Sequence, residues 1–254
     1  MAYNCLMASV TSYYANAAAP VRADIIVQHE RVLQHLATPG SWYSGAERLA
    51  IAKAAREARD CRLCQARKDA LSPLSVQGEH DHDGDVPDIV IEAVHRIVTD
   101  QDRLGESWFQ GLMGRGLTPG RYVEIVGVMA HTVSIDTFAQ AMGLAPLPLP
   151  EPVAGGPSGY VPACATPGPG WVATIAKDNA SGPEADIYAE MRGANIQRAL
   201  TLVPDEKRSW FDLVGVQYLP QAWMRDFSQE FRAISHAQIE FLAARVSALN
   251  RCMY

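Results

Sequence analysis

Residues 44–71, SGAERLAIAKAAREARDCRLCQARKDAL, decide how the chain reads. Alanine, leucine, arginine, lysine and glutamate fill the stretch, and these residues lose least on entering a helix. Ser44 stands where a side-chain oxygen accepts a backbone N–H of the first turn. The stretch therefore predicts a capped helix running into Cys61 and Cys64.

The helical period continues on both sides. ADIIVQHERVLQHLA (23–37) sets Ile25, Val32 and Leu36 near one face, with Ile26, Val27 and Leu33 beside them. VPDIVIEAVHRIVTD (86–100) opens with Pro87 and repeats apolar residues at Ile89, Ala93, Val94, Ile97 and Val98. TPGRYVEIVGVMAHTVSIDTFAQAMG (118–143) has a start signal in Thr118-Pro119 and a stop signal in Gly143. Its valine and isoleucine content makes a strand the rival, but no hairpin turn interrupts it, and the reading stays helix. Residues 144–171, LAPLPLPEPVAGGPSGYVPACATPGPGW, are too rich in proline and glycine for regular structure and read as a linker or surface excursion. Helical patterns resume over 193–219 and 234–254. The expectation is an all-α chain with an N-terminal arm (1–19), a helical module (20–150), a Pro/Gly-rich connection (151–189) and a further helical segment (190–254).

The 254 residues are 48% hydrophobic and 20% charged, enough apolar material for a sizeable core. The net charge of -6 argues against nucleic acid as a partner, since phosphate binding wants a basic face. No apolar run approaches the roughly 18–20 residues that span a bilayer, so no membrane association is expected. No basic stretch precedes the apolar residues of MAYNCLMASVTSYYANAAAP, so a secretory leader is not expected and a cytoplasmic location is. Five cysteines, Cys5, Cys61, Cys64, Cys164 and Cys252, do not suit a disulfide framework. In a reducing compartment a lone C-x-x-C is a redox or metal motif first.

A divergent repeat is visible. At an offset of 191, SHAQIEFLAARVSALNRC (235–252) aligns without a gap to SGAERLAIAKAAREARDC (44–61). Small or apolar residues recur at Ala46 and Ala237, Ile51 and Leu242, Ala52 and Ala243, Ala55 and Val246. The offset carries Cys64 to position 255, so a second C-x-x-C is expected to be completed by a cysteine or selenocysteine following Tyr254.

Glu240, eleven intervening residues and Cys252 resemble the front of the E-x11-C-x-x-C-x3-H signature of alkylhydroperoxidase D and its carboxymuconolactone decarboxylase-like relatives. Residues 116–150 look like the helix and apolar tail that close a module of that family. The resemblance implies one whole module over 20–150 and the opening of another over 190–254. It also implies a thiol-dependent peroxidase or disulfide oxidoreductase without a cofactor, acting on a hydroperoxide or a partner's disulfide. A dithiol protein would donate electrons, and subunits would associate into a homo-oligomer. By resemblance Cys64 attacks and Cys61 resolves, with Glu240 and Cys252 the matching residues of the second copy. The family's glutamate falls at Leu49 in the first copy and its histidine at Lys68, so the proton relay departs from the pattern. Glu47 and Glu57 are nearby acids, either of which could serve instead, Glu57 lying a turn before Cys61, and Arg62, Arg67 and Lys68 supply charge that favours a thiolate. A decarboxylase-like activity finds no histidine and arginine to carry it.

A second reading is a non-catalytic helical oligomerisation module in which Cys61, Cys64, His80 and His82 bind structural zinc. The H-x-H spacing within GEHDHDGD departs from the usual one, and its aspartates suit a solvated loop. His95 and His131 lie in apolar helices and read as core or interface residues. Glu124, in the apolar YVEIVGV, calls for a partner or a raised pKa if buried. Trp108, Trp210 and Trp223 fit helix cores.

Overall fold

Ser44 does what its position predicts. In the computed structural model, which describes residues 10–84, 86–189, 191–250 and 252, its hydroxyl accepts the Glu47 N–H while the Glu47 carboxylate accepts the Ser44 N–H. This reciprocal cap contributes about 1 kcal/mol and fixes the start of a helix.

In chain order the helices are α1 (Ala23–Ala37), α2 (Gly45–Glu57), α3 (Arg62–Asp69), α4 (Asp88–Thr99), α5 (Glu106–Gly114) and α6 (Pro119–Ala141). After a single turn at Asn195–Arg198 come α7 (Pro204–Gln217) and α8 (His236–Leu249). Among the described residues there is no β-strand, only an isolated bridge between Thr166 and Thr174. The fold is all-α. None of the helices so described is long and apolar enough to cross a membrane. Residues 1–9, with Cys5 and part of the expected flexible arm, and Tyr254 lie outside the described residues; the rest of that arm is not flexible but packed, with residues 10–14 helical and Val10 and Tyr14 buried in the core.

Helix α2 is the hub, with α1, α4 and α6 packed around it. Ala52, Ala54, Ala55 and Ala58 are buried, and their small side chains let the neighbouring helices approach closely. Ile51, Leu33, Leu36, Ile91, Ile125 and Val128 fill the spaces between them. The Val/Ile-rich α6 is a helix because both ends are specified. Thr118 accepts the Arg121 N–H, Pro119 takes the first helical position, and Gly143 at φ +76° turns the chain out. The N–H groups of Gly143 and Leu144 then satisfy the Gln140 and Ala139 carbonyls.

The continuous helix expected through both cysteines is instead two. The chain turns at residues 58–60, and Cys61 takes an extended ψ of 121° as the N-cap of α3. An N-cap side chain receives the N–H groups of the following turn, which a mid-helix side chain cannot do. Cys61 makes no capping bond to that turn, but the break places its sulfur where the loop N–H of Asp81 reaches it and the Cys64 N–H acts on its charge.

The proline-rich segment is pinned along the first module. Val153 N–H bonds the Ala37 carbonyl, Ser158 and Gly159 N–H groups bond those of Gly40 and Ser41, and Arg56 bonds that of Leu147. Beyond it Ile175, Ile187 and Tyr188 form a small apolar cluster.

α7 docks on α1 and α6 through a buried charge network. Arg48 Nη1 lies 2.7 Å from Glu124 Oε1 and 2.6 Å from Glu206 Oε1, and His35 Nε2 lies 3.0 Å from the same Glu206 oxygen. Gly127 makes room: a Cβ there would stand 2.4 Å from Glu206 Oε2. Glu124 has the partner its apolar setting calls for, and burial raises its pKa despite Arg48. Removing one member of such a network costs roughly 3–5 kcal/mol, because the remaining charge is left buried and unpaired.

Candidate metal centre

Three segments of the first module converge on one point. The turn into α3 brings Cys61 and Cys64, the loop between α3 and α4 brings His80, and α4 brings His95. His80 Nδ1 is 3.6 Å from Cys61 Sγ and 3.4 Å from Cys64 Sγ, and His95 Nδ1 is 3.5 Å from Cys64 Sγ. The four donor atoms all lie within 4.8 Å of one another. Both cysteines carry free thiols and are buried, at 0% and 2% exposure.

A tetrahedral zinc ion with Zn–S of about 2.3 Å and Zn–N of about 2.0–2.1 Å separates its sulfur and nitrogen ligands by about 3.5 Å. The three observed separations fall at that value. They are also close to ordinary S–H···N hydrogen-bond lengths, so it is the convergence of four donors, rather than any single distance, that marks the site.

Surrounding groups orient the donors. His80 Nε2 is 2.9 Å from Glu92 Oε2, so a carboxylate sits behind this imidazole. Glu92 is itself held by Arg67 Nη1 at 2.8 Å and by the Trp108 indole N–H at 3.2 Å. Arg67 also donates to the Val76 carbonyl of the loop, and Arg103 caps the C-terminal carbonyls of α3 at Arg67 and Ala70. The Asp81 N–H lies 3.4 Å from Cys61 Sγ, and Asp81 forms an exposed pair with Arg62.

Burial opposes ionisation of Cys61, but the Cys64 N–H, His80 and the Asp81 N–H outweigh it and lower its pKa. Burial, reinforced by the neighbouring Cys61 charge, pushes Cys64 up to about 12. Ionisation is thus favoured at Cys61 and opposed at Cys64. Burial lowers His95 to about 4, leaving the neutral imidazole that ligates metals. Glu92 stays ionised, since His80 and Arg67 overcome its burial and hold it down at about 2.

The other expected site residues lie elsewhere. Glu57 pairs with Lys53 and accepts the Asp83 N–H, and the turn at 58–60 removes the shared helical face that would have aimed it at Cys61. Lys68 is exposed, and it is its backbone carbonyl that is engaged, by Arg103. His82 is not among the four donors; with His80, Arg67 and Glu92 it lines an adjoining polar cavity of about 440 Å³. His95 takes its place in the cluster because α4 packs against α3. Glu240 accepts a hydrogen bond from Tyr218 at 2.6 Å and lies 3.4 Å from His236 Nε2, and Cys252 is exposed.

A second group, His35, His131 and Glu206, also has metal-ligand spacing; Arg48 and His35 share Glu206 Oε1, which makes the group part of the buried charge network described above. No protein-family model, no curated protein and no solved structure matches the chain.

Proposed function

We propose that the first module is a structural zinc unit, in which Cys61, Cys64, His80 and His95 hold one ion that ties the 70–87 loop and α3 to α4. The observation that carries this reading is the convergence of two sulfurs and two imidazole nitrogens at the spacing of a tetrahedral ligand set. Two cysteine sulfurs and two imidazole nitrogens suit zinc over calcium or magnesium, which take oxygen. With all four positions filled by protein and both sulfurs buried, the centre is closed, which marks a structural rather than a catalytic role. Such a module acts as a binding or assembly unit in the cytoplasm, where thiols stay reduced.

The experiment is metal analysis of reduced protein alongside Cys64→Ser and His95→Ala. One zinc per chain, lost in both variants, supports the reading. A metal-free protein of unchanged stability overturns it.

A second reading is a thiol-dependent peroxidase or disulfide oxidoreductase of the alkylhydroperoxidase D type, with a dithiol donor and a homo-oligomeric state. It is favoured by His80, which touches both sulfurs and has Glu92 behind it, an imidazole–carboxylate pair in place of the relay missing at Leu49 and Lys68. In this reading Cys61, whose environment favours the thiolate, attacks and Cys64 resolves, the reverse of the order implied by resemblance. Peroxide consumption by reduced, metal-free protein that is lost in Cys61→Ser would support it, and identical consumption in that variant would remove it.

A further inference from the structure

We propose that the centre is an oxidant-released latch: a hydroperoxide converts Cys61 and Cys64 to a disulfide, zinc leaves, and the loop carrying His80 comes free. This inference rests on the zinc reading and adds the regulation of that site.

Two features of the geometry point to it. First, both sulfur ligands come from one C-x-x-C turn, and both lie against the same His80 nitrogen. They are neighbours in space as well as in sequence, so joining them needs only local adjustment. A disulfide cannot serve as a pair of thiolate ligands, so one bond removes half of the ligand set. Second, the loop reaches inward mainly at the centre and beside it, through His80 and through the Arg67 bond to the Val76 carbonyl. Among its described residues the only regular element is the turn Pro73–Ser75, and Leu71 and Leu74 face solvent. Val76 packs over the cysteines, and the Asp81–Arg62 pair is exposed. With zinc gone, the loop keeps the His80–Glu92 contact, the Arg67 bond to the Val76 carbonyl and its exposed pairs, so its hold falls from metal bonds to a few hydrogen bonds, which open at lower cost. The same weak hold lets the loop lift far enough for an oxidant to reach sulfurs that are otherwise shielded.

The chemistry balances. A thiolate sulfur attacks one peroxide oxygen, the O–O bond breaks, and the departing alkoxide takes a proton to become the alcohol. The attacking cysteine is then a sulfenic acid. The second sulfur attacks it, the S–S bond forms, and the hydroxide released takes a proton to become water. Two electrons pass from the sulfur pair to the hydroperoxide, two protons are taken from solvent, and Zn²⁺ is set free. A dithiol reductant and zinc restore the starting state.

The test uses the full chain with Cys5, Cys164 and Cys252 replaced by serine, so that only the pair is titrated. The reduced protein is loaded with one equivalent of zinc and treated with tert-butyl hydroperoxide. Zinc is followed with a chromophoric chelator, thiols with an aromatic disulfide, and the loop by limited proteolysis. The expected result is one zinc released for every two thiols lost, with a 61–64 disulfide in the mass spectrum. Cleavage within residues 70–87 should rise at least tenfold, and dithiothreitol with zinc should reverse all three changes.

Two results would overturn the latch while leaving the zinc reading intact. In one, the thiols of the loaded protein survive an excess that oxidises the zinc-free protein. In the other, they oxidise while zinc is retained or the loop stays resistant to protease. Failure to bind zinc before oxidant is added would overturn both proposals.

Discussion

The turns around Cys61 and Cys252 begin alike and end differently. Each follows a serine-capped helix with the same reciprocal cap, Ser44 with Glu47 and Ser235 with Gln238, and the helices start at aligned residues, Gly45 and His236. Their apolar faces then part company. Ile51, Ala55 and Ala58 in the first copy are at most 2% exposed beneath neighbouring helices, whereas Leu242, Val246 and Leu249 are 54–63% exposed. Cys61 joins three further donors, whereas Cys252 is exposed and belongs to no metal-ligating cluster among the described residues. A repeated local sequence specifies a repeated helix and cap. The chemistry near its end depends on which other elements arrive there.

Removing a donor should break that difference most severely. Cys64→Ser or His95→Ala should abolish zinc binding and destabilise the first module by more than about 4 kcal/mol, the size reserved for lost metals and buried networks. Chemical denaturation of the zinc-loaded proteins would read this. An equal loss in Cys252→Ser would erase the contrast between the two turns.

Next comes the junction between the halves. Glu206→Ala should cost roughly 3–5 kcal/mol by leaving Arg48 short of a partner in the core. Burial alone would raise the Glu206 pKa, but His35 and Arg48 hold it far below the ordinary 4.5. A depressed carboxylate contributes fully above its unfolded value, and its contribution is lost as pH falls through the folded one. The wild-type chain should therefore lose stability below about pH 4.5 more steeply than Glu206→Gln, as urea midpoints measured across that range would show.

Glu92→Ala leaves all four donors in place and removes the group behind His80, together with the partner of Arg67 and the Trp108 indole. It should weaken zinc by roughly 10–100-fold in a competition titration while the far-ultraviolet circular dichroism stays helical. The smallest effects belong to His82→Ala and Cys252→Ser, each expected within about 0.5 kcal/mol of wild type with zinc stoichiometry unchanged. Loss of zinc in His82→Ala would restore the ligand set first expected from the sequence.

Much of the fold was legible. Helical period, the Ser44 and Thr118 caps and the Gly143 stop located the principal helices of the first module, because those signals are local. The break at residues 58–60 was not, since Ala58 and Arg59 continue the helical pattern of the residues before them and Asp60 alone gives no stop signal. What the turn does is place the Cys61 sulfur within reach of the Asp81 N–H, visible only once α3 is placed. The C-x-x-C pair marked the site and His80 was a candidate ligand for it. His95 was hidden because a histidine among valines and isoleucines looks like core until its helix is packed against α3. The union of Arg48, Glu124 and Glu206 was invisible for the same reason: it joins residues far apart in the chain, and only Glu124 announced itself, by its apolar neighbours.

The most direct test of the central claim is the metal content of the full chain purified under reducing conditions without chelators, determined by inductively coupled plasma mass spectrometry. Zinc at Cys61, Cys64, His80 and His95 predicts one zinc per chain, retained through desalting and absent from Cys64→Ser. A wild-type protein that carries no zinc, takes up none when it is offered, and melts at the same temperature as Cys64→Ser would contradict it.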